Sequence, residues 1–150
     1  MYQLILFDVD GVFLSEERCF DASALAVWEL LNAPHFLHIS DNKFSTTPTD
    51  DEIEQIRKLV FQNDKILDWM KDRGINANWD MVYMVFTAQL MGMLKTTPPT
   101  FARNWLSRPV TENSLVELKQ HVHGYEPDFS QFFALFDESS GKLNRDELLV

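Results

Sequence analysis

Basic residues are scarce in this 150-residue chain: 13 Lys and Arg stand against 23 Asp and Glu, a formal net charge of −10. A surface of that sign repels phosphate backbones, which argues against a nucleic-acid partner and against a basic membrane-binding face. Most of the carboxylate excess reads as solvated surface. Cysteine is nearly absent. Cys19 stands alone, so no intrachain disulfide can form, as expected of a reducing compartment. Long apolar runs are absent too. The longest, Met81 to Leu94, contains Gln89 and Gly92 and falls short of the about 20 residues that span a bilayer. Asp8 and Asp10 interrupt the first apolar segment, so no secretory signal is legible. There is no internal repeat and no low-complexity tract. These absences predict a soluble, cytoplasmic chain with neither nucleic acid nor membrane as a partner.

What is present is a core. Hydrophobic residues make up 45% of the chain, with 12 Phe and 4 Trp, enough for one ordinary domain. Residues 3–7 form a short, continuously apolar run, the pattern of a strand buried on both faces in a parallel sheet. From Asp21 the pattern turns helical. Asp21 or Ser23 is the expected cap of a helix that runs to about Leu31, and Pro34 ends it. Thr49 or Asp50 is the expected cap of a long helix through Met70, stopped by Gly74. Ile53, Ile56, Leu59, Val60, Ile66, Leu67 and Met70 recur along it at helical spacing. Asn78 is the expected cap of a helix to about Leu94 that is apolar on nearly every side and so belongs at the centre. Helical patterns resume at 101–106 and 112–121. Asp128 is placed to cap a Phe-rich segment, "DESSGK" reads as a loop, and Asn144 can cap a last helix. One strand followed by about six helices is lopsided, because a lone parallel-type strand has nothing to pair with. The unpaired strand also offers an edge for self-association.

The chemistry-bearing stretch is "LILFDVDGVFLSEE", Leu4 to Glu17. A carboxylate at the carboxyl end of a parallel strand lies where ligands bind in open α/β sheets. Asp8 can act as a nucleophile toward phosphorus and as a hard oxygen ligand to Mg²⁺. Asp10 can protonate a leaving oxygen and later deprotonate water. Gly11 permits a sharp turn and a close approach to phosphate.

"LILFDVDGV" resembles motif one of the haloacid dehalogenase superfamily, an apolar strand followed by D-x-D-G-[VT]. The resemblance implies an α/β parent fold, although this chain is mostly α. It makes Asp8 the nucleophile and Asp10 the general acid/base. It has Mg²⁺ held by the Asp8 carboxylate and the Asp10 main-chain carbonyl. The implied reaction is hydrolysis of a phosphate monoester, a small phosphorylated metabolite, through an aspartyl-phosphate. By the same resemblance residues 1–20 are the start of the core, with Phe13 to Phe20 as its flap, and residues 21–150 are a helical cap. Gly11, Ser15, Glu16 and Arg18 are then the substrate-binding candidates.

The family also needs a strand ending in Ser or Thr, a Lys and an acidic pair. Stand-ins are "HFLHIS" ending in Ser40, Lys95, and "FALFDE", residues 133–138. Together they would make a complete small capless phosphatase. The preferred expectation places the rest of the core beyond Val150, where the chain stops inside an apolar helical pattern, and leaves the 150 residues alone inactive or nearly so. The alternative from another class is a non-catalytic helical interaction module that retains a motif-one remnant.

Other signals are weaker. The loop Asp137 to Glu147 is one residue short of a calcium-binding EF-hand loop. The pairs His35/His38 and His121/His123 lack the carboxylate or Cys pattern of a zinc site and read as ordinary histidines. Cys19 reads as an incidental thiol. Trp79, Met81, Tyr83, Met84, Phe86, Met91 and Met93 read as core before substrate pocket, and Asn76, Asn78 and Asp80 as helix capping before substrate contact.

Overall fold

A computed structural model describes residues 15–41 and 43–140. Among them are seven helices and no strand. The helices are α1 (Glu16–Asn32), α2 (Asp50–Val60), α3 (Lys65–Lys71), α4 (Asn78–Thr96), α5 (Pro99–Leu106), α6 (Glu112–Val122) and α7 (Gln131–Ser140). The expected strand 3–7, Asp8, Asp10, Gly11 and the expected last helix at 145–150 lie outside the described residues.

α4 is central. It packs against α1, α5 and α7, and α1 also packs against α2. Its burial follows from its composition. Met81, Val82, Met84, Val85, Ala88, Leu90, Met93 and Leu94 are all buried. They meet Ala24, Val27 and Leu31 of α1, Trp69 and Met70 of α3, and Phe129 and Phe132 near the carboxyl end in one hydrophobic cluster. The expected core role of Met81, Met84 and Met93 holds, whereas Trp79 and Tyr83 face solvent at 81% and 55% exposure.

α1 begins five residues before Asp21. Ser15 is extended, and Glu16 and Glu17 fill the first turn, where carboxylates favour the helix dipole. Asp21 and Ser23 therefore sit inside the helix. Ser23 Oγ donates back to the Cys19 carbonyl at 3.0 Å, and Asp21 pairs with Arg57 of α2 at 3.6 Å. Most of the stretch expected as a flap, residues 16–20, is thus helical.

The expected long helix from Asp50 is two helices. Gln62, Asn63 and Asp64 all have positive φ, at 52°, 54° and 65°, a region that Asn and Asp tolerate better than most residues. The Asn63 N–H closes α2 on the Lys58 carbonyl at 2.8 Å, and Ile66 N–H reaches Phe61 O at 3.1 Å. Phe61, fully buried, anchors the turn. The apolar periodicity runs through the break unchanged, which is why it reads as one helix in sequence. α4 starts at Asn78 with Ala77 as its N-cap and no side-chain cap bond, so Asn78 is the first helical residue and not the cap.

Both stretches proposed as further strands are something else. "HFLHIS" is a turn wrapped around the carboxyl end of α1. Leu37 N–H donates to Leu30 O and Ile39 N–H to Leu31 O, and both side chains are buried. "FALFDE" lies within α7, which also takes Asp137 to Ser140 out of the expected loop. Lys95 is exposed in the last turn of α4. Ser40 and Asp137 therefore do not terminate strands, and the capless arrangement loses these two of its stand-ins. For "FALFDE" the physical cause is that a short apolar run fits a strand and a buried helix equally until tertiary packing decides.

Candidate functional site

Chain geometry bounds where a site served by Asp8 and Asp10 can lie. Ser15 is five residues beyond Asp10, so their Cα atoms are at most about 18 Å apart. The amino end of α1 is therefore the part of the bundle tied most closely to the motif.

That end carries a cleft of about 280 Å³, lined by Glu16, Cys19, Phe20, Lys71, Asn76, Ala77 and Asn78. Three elements build it. α1 supplies Glu16, Cys19 and Phe20 from its first turns. Lys71 closes α3, and Gly74, with φ 78°, makes the tight turn that follows. Gly74 N–H bonds Lys71 O at 2.9 Å and Ile75 N–H bonds Met70 O at 3.0 Å. Ile75 is fully buried and pins the connector, so Asn76 to Asn78 pass across the cleft into α4. Lys71 Nζ stands 3.6 Å from Glu16 Oε2 and 4.3 Å from the centre of the Phe20 ring. The ammonium is thus held between a carboxylate and an aromatic face, with the two Asn side chains nearby as neutral hydrogen-bonding groups.

Of the described substrate-binding candidates, only Glu16 lines this cleft. Arg18 turns away. Its guanidinium pairs with Asp21 at 3.8 Å and with Asp50 at 3.5 Å, which ties α1 to the start of α2. Arg57 extends this network to Asp64 at 3.8 Å. Ser15 is exposed at the N-cap and makes no side-chain cap bond. Lys71 and Phe20 were not legible as site residues, because only the turn at Gly74 brings the end of α3 beside the start of α1. Asn76 and Asn78 read in the sequence as capping residues before substrate contacts; Ala77 is the N-cap of α4, and both Asn line the cleft.

A second, larger groove of about 510 Å³ lies between α1, α2 and the 43–48 loop. Leu25, Trp28, Phe44, Ile56 and Leu59 give it an apolar floor, and the Trp28 indole N–H donates to the Lys43 carbonyl at 2.9 Å. Glu52 borders it but is engaged in a capping box. Its Oε2 accepts from Thr49 N at 2.7 Å and from Thr49 Oγ1 at 2.9 Å. These bonds hold the Glu52 carboxyl below the usual carboxylate range.

Among the described residues, no group of three or more His, Cys, Asp or Glu is placed to hold a metal ion. Nor is any helix there long and apolar enough to cross a membrane.

No family model and no curated protein matches this chain. A solved structure does. It is an X-ray structure of a Northeast Structural Genomics Consortium target, 35% identical over 94% of this chain, with a TM-score of 0.78. The chain spans 37% of the length of that neighbour and is similar in sequence and in fold to that part of it.

Proposed function

We propose that these residues are the amino-terminal part of a Mg²⁺-dependent phosphatase of the haloacid dehalogenase type, with the helices acting as a cap beside the catalytic aspartates. The observation that carries this reading is the connection itself. "FDVDG" is joined, within six residues of Asp10, to a helical bundle whose amino end opens a small polar cleft. The greater length of the structural neighbour supports a core completed by further sequence.

In this reading an Asp8 carboxylate oxygen attacks phosphorus, and the bond to the ester oxygen breaks as Asp10 protonates it. Asp10 then takes a proton from the water that attacks the aspartyl-phosphate, which releases phosphate and restores Asp8. Mg²⁺ suits the donor set, a carboxylate and a main-chain carbonyl, both hard oxygens, and when bound it would neutralise phosphoryl charge. Glu16, Lys71, Asn76 and Asn78 would contact the leaving group of a small phosphate ester, and Phe20 would exclude water from one side.

The test is turnover of p-nitrophenyl phosphate with Mg²⁺ by a form carrying the remaining core. Asp8→Asn should abolish it, and undiminished turnover would overturn the assignment. The second reading, a non-catalytic helical interaction module, draws support from the absence of any strand among the described residues. It predicts that the extended form shows no Mg²⁺-dependent turnover at all.

A further inference from the structure

The cleft at the amino end of α1 carries donors, acceptors and charges of both signs. Glu16 brings a negative charge and Lys71 a positive one, while Phe20, Asn76 and Asn78 bring none. The two charged groups are close without being spent on each other. Lys71 Nζ is 3.6 Å from Glu16 Oε2, beyond the about 2.7–3.2 Å of a direct N–H···O bond. Their side chains are 39% and 60% exposed, and an ion pair so placed holds little free energy.

Both groups therefore keep hydrogen-bonding capacity for a ligand. The ammonium has N–H donors to offer, and the carboxylate has acceptor oxygens. Asn76 and Asn78 add two carboxamides that make no side-chain hydrogen bond among the described residues. Each carboxamide can donate or accept.

That balance discriminates among leaving groups. A carboxylate drawn to Lys71 would meet Glu16, and an ammonium drawn to Glu16 would meet Lys71, so each gains one attraction and one repulsion. A hydroxyl escapes this conflict. It donates to Glu16, accepts from Lys71, and does either with an Asn carboxamide. Several hydroxyls on one small skeleton would use all four side chains together. Phe20 supplies apolar surface for the C–H groups between them. Size agrees. At about 280 Å³ the cleft lies at the lower edge of small-ligand sites, about 300–1,000 Å³, which suits a single ring or a short chain.

We infer that the leaving group is an uncharged sugar or polyol, so that the substrate class is a sugar or polyol monophosphate. This inference rests on the phosphatase reading above, and its chemical step is the one given there. The phosphorus–oxygen ester bond breaks, the phosphoryl group passes to Asp8, and the freed oxygen leaves as a hydroxyl carrying the Asp10 proton. Glu16, Lys71, Asn76 and Asn78 would hold the other hydroxyls and so set which ester is accepted.

The test compares esters in a form carrying the remaining core, with Mg²⁺. Ribose, glucose and sorbitol monophosphates present hydroxyls, phosphoglycolate a carboxylate, phosphoethanolamine an ammonium, and p-nitrophenyl phosphate none of these. The best sugar or polyol ester should exceed the other classes in kcat/KM by at least about tenfold, the scale of one lost hydrogen bond to a charged group. Lys71→Met and Asn78→Ala should each lower kcat/KM for that ester at least about fivefold and leave p-nitrophenyl phosphate within about twofold. A purely structural role for either residue would lower both alike. Turnover in which no sugar or polyol ester is preferred, or equal losses on both esters in the variants, overturns the inference and leaves the phosphatase reading standing. No turnover of any ester overturns the phosphatase reading and the inference with it.

Discussion

Replacing Phe132 with Ala tests whether α7 belongs to the same core as α3 and α4. Phe132 is fully buried. Its ring meets Trp69 edge-on at 5.2 Å and 90°, and lies 4.8 Å from Phe136 and 5.7 Å from Phe133. Truncation removes a whole ring from a site walled by other large side chains, which can collapse only in part. Buried Phe→Ala changes of this kind cost about 3–5 kcal/mol. For a chain of this size each kcal/mol lowers Tm by about 3 °C, so the midpoint should fall by about 10–15 °C. Urea denaturation followed by circular dichroism supplies the free energy, and thermal melting supplies the midpoint. Phe133→Ala, at a half-buried position on the same helix, should cost clearly less. A loss below about 1 kcal/mol for Phe132→Ala would refute the placement of α7 in the core.

A Cβ at Gly92 would collide with Tyr125 Oη and Gln131 Oε1, so Gly92→Ala should destabilise by about 1–3 kcal/mol in spite of better helix propensity, and Tyr125→Phe should restore much of the loss in a double-mutant cycle. Tyr125→Phe alone should be neutral or stabilising, because the Tyr125 hydroxyl is buried without a hydrogen-bond partner among the described residues. Burial, and then the Asp128 charge, push the Tyr125 hydroxyl pKa up from 10.0, so the fold loses stability as pH rises past that value, a dependence that should vanish in Tyr125→Phe. Thr49→Ala should cost about 1 kcal/mol by removing the capping box of α2. Because Glu52 is held below its ordinary 4.5, its contribution is present above that pH and lost below it. The urea midpoints of Glu52→Gln and the unaltered chain should therefore differ at neutral pH and converge in acid.

The sequence discloses most of the helical architecture, because periodicity and caps are local. The cap at Thr49, offered beside Asp50, the start of α6 at Glu112 and the buried centre at α4 are legible from residue spacing, whereas the Thr49–Glu52 capping box is a finding of the structure. It misreads segments in which two structures satisfy the same apolar pattern. "FALFDE" opens on a continuous apolar run that suits a buried strand, yet it lies in α7, where Phe136 packs against Trp69 and Phe132. The α2–α3 break is hidden because the left-handed turn at 62–64 preserves the apolar phase on both sides. For the candidate site the local motif names Asp8 and Asp10. The cleft partners Lys71 and Phe20 are tertiary and depend on the turn at Gly74.

The central claim is that Asp8 carries the phosphoryl group. Its most direct measurement is borohydride trapping of the acyl-phosphate during turnover, with the labelled residue located by mass spectrometry in a form that contains the full core. The account predicts a Mg²⁺-dependent label on Asp8, absent in Asp8→Asn. Turnover accompanied by a label on another residue would contradict it.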